Sequence, residues 1–418
     1  MNSSNYILQI CQSAQLASKD ISIANLEVKN KVLKDVINLI HKNSQKLLEA
    51  NELDLNYALK KNLDSSKIER LKLDQNKINS LIISLTEIIK LPDPVDKILF
   101  ENHLENGLHI KRVSIPIGVL LAIYEARPNV TCDISALALK SGNVAILRSS
   151  SDCFNSSKFI ADLFRQALSQ NSLDQNIITF VEDSSYEAVN KLLKMNKFID
   201  VVIPRGGKNL IKSIMENSNI AMFNHLDGNC HTYIHASANY DKARKILFNA
   251  KMRRVSICGA TETLLLDFDI AKEILPLIVD DLSQAGCEIR GDDLSCIIDS
   301  RIKPASEDDF YTEFLDKILV IKIVRNCDEA IYHIAKYGSS HTESIITEDK
   351  LIVQKFFKEV NSAIVMHNAS TQFADGYEFG MGAEVGIATG KLHARGPVGL
   401  EQLTTFKYQV QAICAIRK

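Results

Sequence analysis

The chain has no excess of charge of either sign. Of its 418 residues, 49 are lysine or arginine and 51 aspartate or glutamate, a formal net charge of −2. That balance gives no electrostatic reason to expect nucleic acid or an anionic membrane as a partner. There is no apolar run of membrane length either: the longest, around "IPIGVLLAI", falls far short of the roughly 20 residues that span a bilayer. The opening "MNSSNYILQICQSAQLASK" has no basic residue before Lys19, so it lacks the positive start of a secretory signal. Nine cysteines are present with no CxxC pair, a scatter that fits reduced thiols and neither a disulfide framework nor a zinc knuckle. Short-period repeats, low-complexity tracts and heptad runs are missing. Together these absences predict a cytoplasmic protein without membrane or nucleic-acid partners, and the length predicts two or three domains.

What is present has two textures. Apolar positions recur at helical spacing through "NLEVKNKVLKDVINLIHKNSQKLLEANELDL" (Asn25 to Leu55), helix continues to Leu91, and "LPDP" breaks it. Beyond that, "IGVLLAI", "NVAILRS", "NIITFVE" and "FIDVVIP" are short apolar runs, each followed by a helix-like segment. Such alternation predicts βαβ units around a parallel sheet. After Arg254 it resumes with "ETLLLDF", "DKILVIKIV", "ESIIT" and "SAIVMH", so the fold class is α/β with a second α/β domain. Two partly alternating segments fit neither sheet: "LHIKRVSIP" (Leu108 to Pro116) and the tail "LTTFKYQVQAICAI".

The dinucleotide fingerprint G-x-G-x-x-G does not occur. Two strand ends nevertheless carry positive charge. In "IDVVIPRGGKNLIKSI" a strand runs into Arg205-Gly206-Gly207-Lys208 at a helix start, where exposed amides suit a phosphate; a plain tight turn explains the same residues. In "NVAILRSSSD", Arg148 and Ser149 hold a comparable position. Two such ends in one doubly wound sheet favour a ligand crevice.

Among the thiols, Cys11, Cys132, Cys153, Cys287, Cys296, Cys327 and Cys414 read as packing residues. Cys230 adjoins His231 in "LDGNCHTYIH", where a metal site with His235 is weakly supported because no further Cys/His pair has ligand spacing. No metal is expected. Cys258 differs by its setting in "RRVSICGATETLLL": Arg253 and Arg254 would favour the thiolate, the reactive form. A small hydrophobe entering a strand is the alternative. A late stretch, Asn368 to Gly399, holds seven glycines and reads as functional loop. Within it Glu384, His393 and Arg395 are the candidate substrate-binding residues, although loop carbonyls would equally satisfy the last two.

The segments "IGVLLAIYEARPNVT", "ALKSGNVAILRSSSD", "DVVIPRGGKNLI", "YGSSHTESIITED" and "HNASTQFADGYEFGMGAEVGIATGKLHARGPVGLEQLTT" resemble the γ-glutamyl phosphate reductase family, within the aldehyde dehydrogenase superfamily. The likeness runs from about Ile117 onward. It implies an aldehyde-dehydrogenase-like fold: a Rossmann-type cofactor domain (1–106 and 118–250), an α/β catalytic domain (251–396) and a small β oligomerisation arm (107–117 and 397–418). It also implies a homo-oligomer, dimer or tetramer, and a glutamate kinase as supplier of the labile substrate. Cys258 then stands in the place of the family's nucleophile, with Gly259 where related sequences usually have asparagine.

The implied reaction is reduction of L-glutamyl 5-phosphate by NADPH to L-glutamate 5-semialdehyde, with release of phosphate, through a cysteine thioester. The amide of Cys258 and the side chain of Asn129 in "ARPNVT" are the candidate oxyanion donors, worth roughly 3 kcal/mol each. Arg148, Ser149, Arg205, Gly206, Gly207 and Lys208 are the candidate NADP contacts. Hydrolytic relatives carry a water-activating glutamate where this chain reads "NHLDGNCHTYIH", with His225 near that place and Asp227 as the remaining acidic group. Its loss suits a reductase. Two other readings are an oxidising aldehyde dehydrogenase of the same fold and a non-catalytic nucleotide-binding scaffold.

Overall fold

The computed structural model describes residues 3–223 and 225–417, and the chain forms two compact units. The first comprises Met1–Asn224, Gly380–Gly386 and Val398–Lys418. At its centre lies a five-stranded parallel sheet in the order Ile178–Phe180, Val144–Ser149, Val119–Tyr124, Val201–Arg205, Ala221–Met222. The four apolar runs read as strands are four of these five. Val119–Tyr124 and Val144–Ser149 are buried at every position. That is why residues 119–124 and 144–147 appear as unbroken apolar runs, since a parallel sheet is covered on both faces. Each fully buried Val, Leu or Ile side chain there contributes about 1.5–3 kcal/mol.

Strand order runs outward from Val119–Tyr124 in one direction, then returns and runs outward in the other. A topological switch point therefore lies at the carboxyl ends of Val119–Tyr124 and Val201–Arg205, the place where such sheets accept ligands. The helices Leu26–Lys42 and Ser44–Lys60 pack on Phe154–Gln170. Asn25 starts the first by accepting the Val28 amide at 2.9 Å. Fully buried Asp54 accepts the amides of Asn155 and Ser156 at 3.0 and 2.8 Å, which caps Phe154–Gln170 from a distant helix.

Also in this unit, His109–Pro116 is the middle strand of an antiparallel sheet, between Ile98–His103 and Thr404–Gln411. The two unassigned segments thus pair with each other. Ile98–His103 is exposed throughout and has no readable period, so it was not anticipated.

The second unit comprises His225–Phe379 and Ile387–Pro397. Its seven-stranded parallel sheet has the order Lys303–Pro304, Glu288–Gly291, Ile318–Val324, Thr261–Asp267, Cys230–Ile234, Thr342–Ile346, Ile364–His367. Cys230–Ile234 sits well inside this sheet, and the helix Tyr240–Met252 follows it. The compact units divide at 224/225 where the resemblance implied a boundary at 250, and 380–386 falls in the first unit. The pattern hid this because a strand at 230–234 extends either sheet equally well. Leu264, Leu266, Ile274, Ile278, Leu319 and Ile321 build the core on one side of the sheet. Tyr233, Leu265, Ile345 and Phe356 build a second core cluster. Among the described residues, no helix is long and apolar enough to cross a membrane.

Candidate active site

Three neighbouring parallel strands of the second unit, Thr261–Asp267, Cys230–Ile234 and Thr342–Ile346, start side by side. The residues just before their amino ends converge: Cys258 before the first, His225 and Gly228 before the second, His341 before the third. One ligand atom each of His225, Cys258 and His341 lies within 4.8 Å of the others. The two imidazoles meet edge to face, with ring centroids 5.1 Å apart. His225 is fixed by Nδ1, which pairs with the Ile387 carbonyl at 2.7 Å. His341 is fully buried, and its Nδ1 pairs with Thr342 Oγ1 at 2.8 Å and Cys230 Sγ at 3.5 Å.

Burial would push the Cys258 thiol up, but the charge and hydrogen bonding of His341 and His225 hold it well below the ordinary thiol range. The two imidazoles therefore favour the thiolate form of Cys258. The arginines named from the sequence do not supply that charge. Arg253 turns to Gln372, Nη1 to Oε1 at 3.4 Å, and the groups that lower the thiol most are His341 and His225. Local sequence placed charge beside the cysteine; the sheet placed two histidines there. His341 lies in "YGSSHTESIITED", a segment whose resemblance was noted without singling out the histidine.

The turn is tightly built. A Cβ added to Gly228 would stand 2.4 Å from the Cys258 carbonyl oxygen and 2.7 Å from its Cα. Cys230 Sγ donates to that same carbonyl at 3.0 Å. Cys230 is thus a buried positioning group, and its supposed metal partner His235 is engaged with Ser237 and Thr347. Glu313 is a carboxyl that sequence reading missed. Burial raises it first and the negative charge of Cys258 raises it further, while the Gly228 amide bonds to it.

Asn129 lies in the first unit, exposed on the helix Pro128–Lys140, with Nδ2 donating to Asp133 at 3.2 Å. Arg205-Gly206-Gly207-Lys208 is at the switch point, and the helix Lys208–Asn217 begins without a side-chain cap. Glu125 approaches this turn: its carboxylate accepts the Gly207 amide at 3.3 Å, and a Cβ on Gly206 would stand 2.9 Å from it. Arg148 is buried, with Nη2 donating to the Ser184 carbonyl at 2.5 Å, and Ser149 is buried beside it. Nearby, a cavity of about 740 Å³ is lined by Tyr57, Lys60, Ser151, Asn155, Glu182 and Ser184. Lys60 was not anticipated, because it is one of many lysines on an amphipathic helix.

Glu384 is half-buried in the first unit, and His393 is exposed in the second. Arg395 follows the plainer of its two readings. Its Nη1 and Nη2 donate to the side chain and carbonyl of Asn361 at 2.9 and 2.7 Å, and Nε donates to the Thr389 carbonyl at 3.3 Å. Cys414, read as a packing residue, is exposed in the tail.

Two α/β units, one with a doubly wound sheet and one with a thiol at a strand's amino end, define an aldehyde-dehydrogenase architecture. The model of the Aldehyde dehydrogenase family matches residues 2–296. The γ-glutamyl phosphate reductase of Parvibaculum lavamentivorans is 47% identical over 410 residues, 98% of this chain and 97% of that protein. That of Rhodospirillum rubrum is 46% identical over 405 residues, 97% and 95% of the two chains. The crystal structure of γ-glutamyl phosphate reductase from Thermotoga maritima superposes with a TM-score of 0.96 at 40% identity, covering 99% of this chain and all of that one. An acetylating aldehyde dehydrogenase from Geobacillus thermoglucosidasius, at 18% identity and a TM-score of 0.71, shares the fold. The chain belongs to the aldehyde dehydrogenase family, and within it to the γ-glutamyl phosphate reductases.

Proposed function

We propose that this oxidoreductase reduces L-glutamyl 5-phosphate to L-glutamate 5-semialdehyde with NADPH, releasing phosphate, as a step of proline biosynthesis. The observation that carries the reading is Cys258 held between two imidazoles in a chain 47% identical to a γ-glutamyl phosphate reductase over nearly its whole length. The Cys258 thiolate attacks the acyl carbon, the carbon–oxygen bond to phosphate breaks, and phosphate leaves with the electron pair. An acyl phosphate is already activated, so the step needs no strong acid. The amide of Cys258 is our donor to the oxyanion. A bound nicotinamide cofactor supplies the hydride that reduces the thioester. The resulting alkoxide collapses to aldehyde and returns the Cys258 thiolate.

Residues of the first unit fit such a cofactor. The uncapped amides at the start of Lys208–Asn217 suit its pyrophosphate once Glu125 releases Gly207. The cavity beside Ser151 and Tyr57 suits the adenosine end, with Lys60 as the cation for a ribose phosphate. Arg148, committed to Ser184, holds the cavity wall. We further read the enzyme as a cytoplasmic homo-oligomer, dimer or tetramer, supplied by a glutamate kinase. Exposed Leu99, Phe100, Phe406, Tyr408 and Val410 on the edge strands of the three-stranded sheet support the oligomer.

The test is the reverse reaction. A site built to expel phosphate must accept it as the entering group. NADPH formation from glutamate 5-semialdehyde and NADP should therefore require inorganic phosphate. Phosphate-independent turnover to glutamate would overturn the reading and point to Glu313 as a water-activating base.

A further inference from the structure

We propose that Cys258, His225 and His341 together bind a thiophilic divalent cation, zinc foremost, and that its binding reversibly shuts the enzyme off. The inhibitory half rests on the proposed role of Cys258; the binding half does not.

The donors are of the right kind and nearly in position. Tetrahedral zinc, with sulfur at about 2.3 Å and nitrogen at about 2.0–2.1 Å, sets its donors roughly 3.5 Å apart. Here the three donor atoms lie within 4.8 Å of one another. Closing that difference takes a movement on the order of 1 Å, within reach of side-chain rotation. His341 supplies a second, independent indication. Its ring is fully buried, and apart from Cys258 its Nε2 has no hydrogen-bond partner. A buried ring nitrogen so poorly partnered is unfavourable, and a metal bond would relieve it.

Both rings are also oriented as metal-binding histidines are. His225 Nδ1 faces the Ile387 carbonyl, which can only accept, so the proton of the neutral ring is on Nδ1 and the lone pair on Nε2. His341 Nδ1 is held by Thr342. Such outer bonds fix the tautomer and direction of a ligating imidazole. One thiolate with two imidazoles selects zinc, cobalt or copper over magnesium and calcium. On binding, the metal takes up the Cys258 thiolate, any proton still shared between sulfur and imidazole passes to solvent, and no electrons are exchanged. The sulfur lone pair that would attack the acyl carbon is then shared with the metal.

A second cluster, Glu101, His103 and His109, offers nitrogen and oxygen donors in the first unit. The readout must therefore report sulfur. The full-length protein, stripped with EDTA, is titrated with cobalt(II), and thiolate-to-cobalt charge transfer is followed in the near ultraviolet. A band should appear, saturate at a single equivalent and vanish on adding zinc. Cys258→Ser should abolish it. His341→Gln should weaken cobalt binding more than tenfold, and His225→Gln, at the more accessible ring, should do the same if the first variant fails to fold. Reductase activity should fall in step with occupancy and return with EDTA. Absence of the band, its persistence in Cys258→Ser, or undiminished affinity in a folded histidine variant would overturn the site. Full occupancy with unimpaired reductase activity would leave the site standing and overturn both the inhibition and the nucleophilic role of Cys258.

Discussion

Lys251 and Glu262 close a salt bridge of 2.5 Å inside the second unit, with neither side chain exposed to solvent. Lys251 lies in the helix before the Cys258 turn and Glu262 in the strand after it, so the pair clamps the two ends of that turn. Burial pushes the Glu262 carboxyl up to about 7, against the pull of Lys251. Lys251→Met strands a buried carboxyl, and the expected loss of stability is about 3–5 kcal/mol. In that variant the folded state keeps the Glu262 proton over a range where the unfolded chain releases it, so stability falls as pH rises. The loss should be smaller at about pH 5 than at about pH 8, and denaturant midpoints at the two values check the sign. Lys251→Met with Glu262→Leu should recover most of the stability.

Cys258 should react with iodoacetamide as a thiolate at neutral pH in EDTA-treated protein. The midpoint of its rate against pH should lie well below the ordinary thiol value of about 8.5. His341→Asn should move the midpoint toward or past that value, because burial then acts with less opposition. An unchanged profile would mean that the imidazole does not set the thiol. Cys258→Ser should remove reductase activity while folding and NADPH binding persist, since a serine hydroxyl stays protonated here.

Gly228→Ala should inactivate without removing a reacting group. The added methyl meets backbone atoms of Cys258, which cannot swing aside as a side-chain tip does, so the thiol itself must move. Misplacement by about 1 Å costs on the order of a hundredfold in rate. The measurement is kcat beside the thermal midpoint; a variant with normal kcat would show that the turn tolerates displacement.

Lys60→Ala should weaken NADPH far more than NADH. A charge-assisted phosphate bond is worth roughly 1.5–3 kcal/mol, about ten- to a hundredfold in affinity. Arg148→Ala should instead lower stability and weaken both cofactors alike, because it unpairs the Ser184 carbonyl in the cavity wall. Dissociation constants for the two cofactors in each variant separate the roles. Equal losses in Lys60→Ala would place the specificity elsewhere.

Much of this protein was determined by its sequence alone, wherever the information is local. Residues 119–124 and 144–147 are legible as strand because burial on both faces of a parallel sheet selects a continuous apolar run. Cys258 stood out by following Arg253 and Arg254 and through the family resemblance, and Arg205-Gly206-Gly207-Lys208 through its place between strand and helix. The surroundings of Cys258 were decided by tertiary structure. Register between Cys230–Ile234, Thr261–Asp267 and Thr342–Ile346 sets which residues share the strands' amino ends, and so brings His225, Cys258 and His341 together. Nothing local to any of the three announces the other two. The same holds for charge: Arg253 is adjacent in sequence yet turned to Gln372, and Arg395 is used up by Asn361 and Thr389. A side chain's sequence neighbours limit its reach, but only the packed sheet decides which partners are within hydrogen-bond distance.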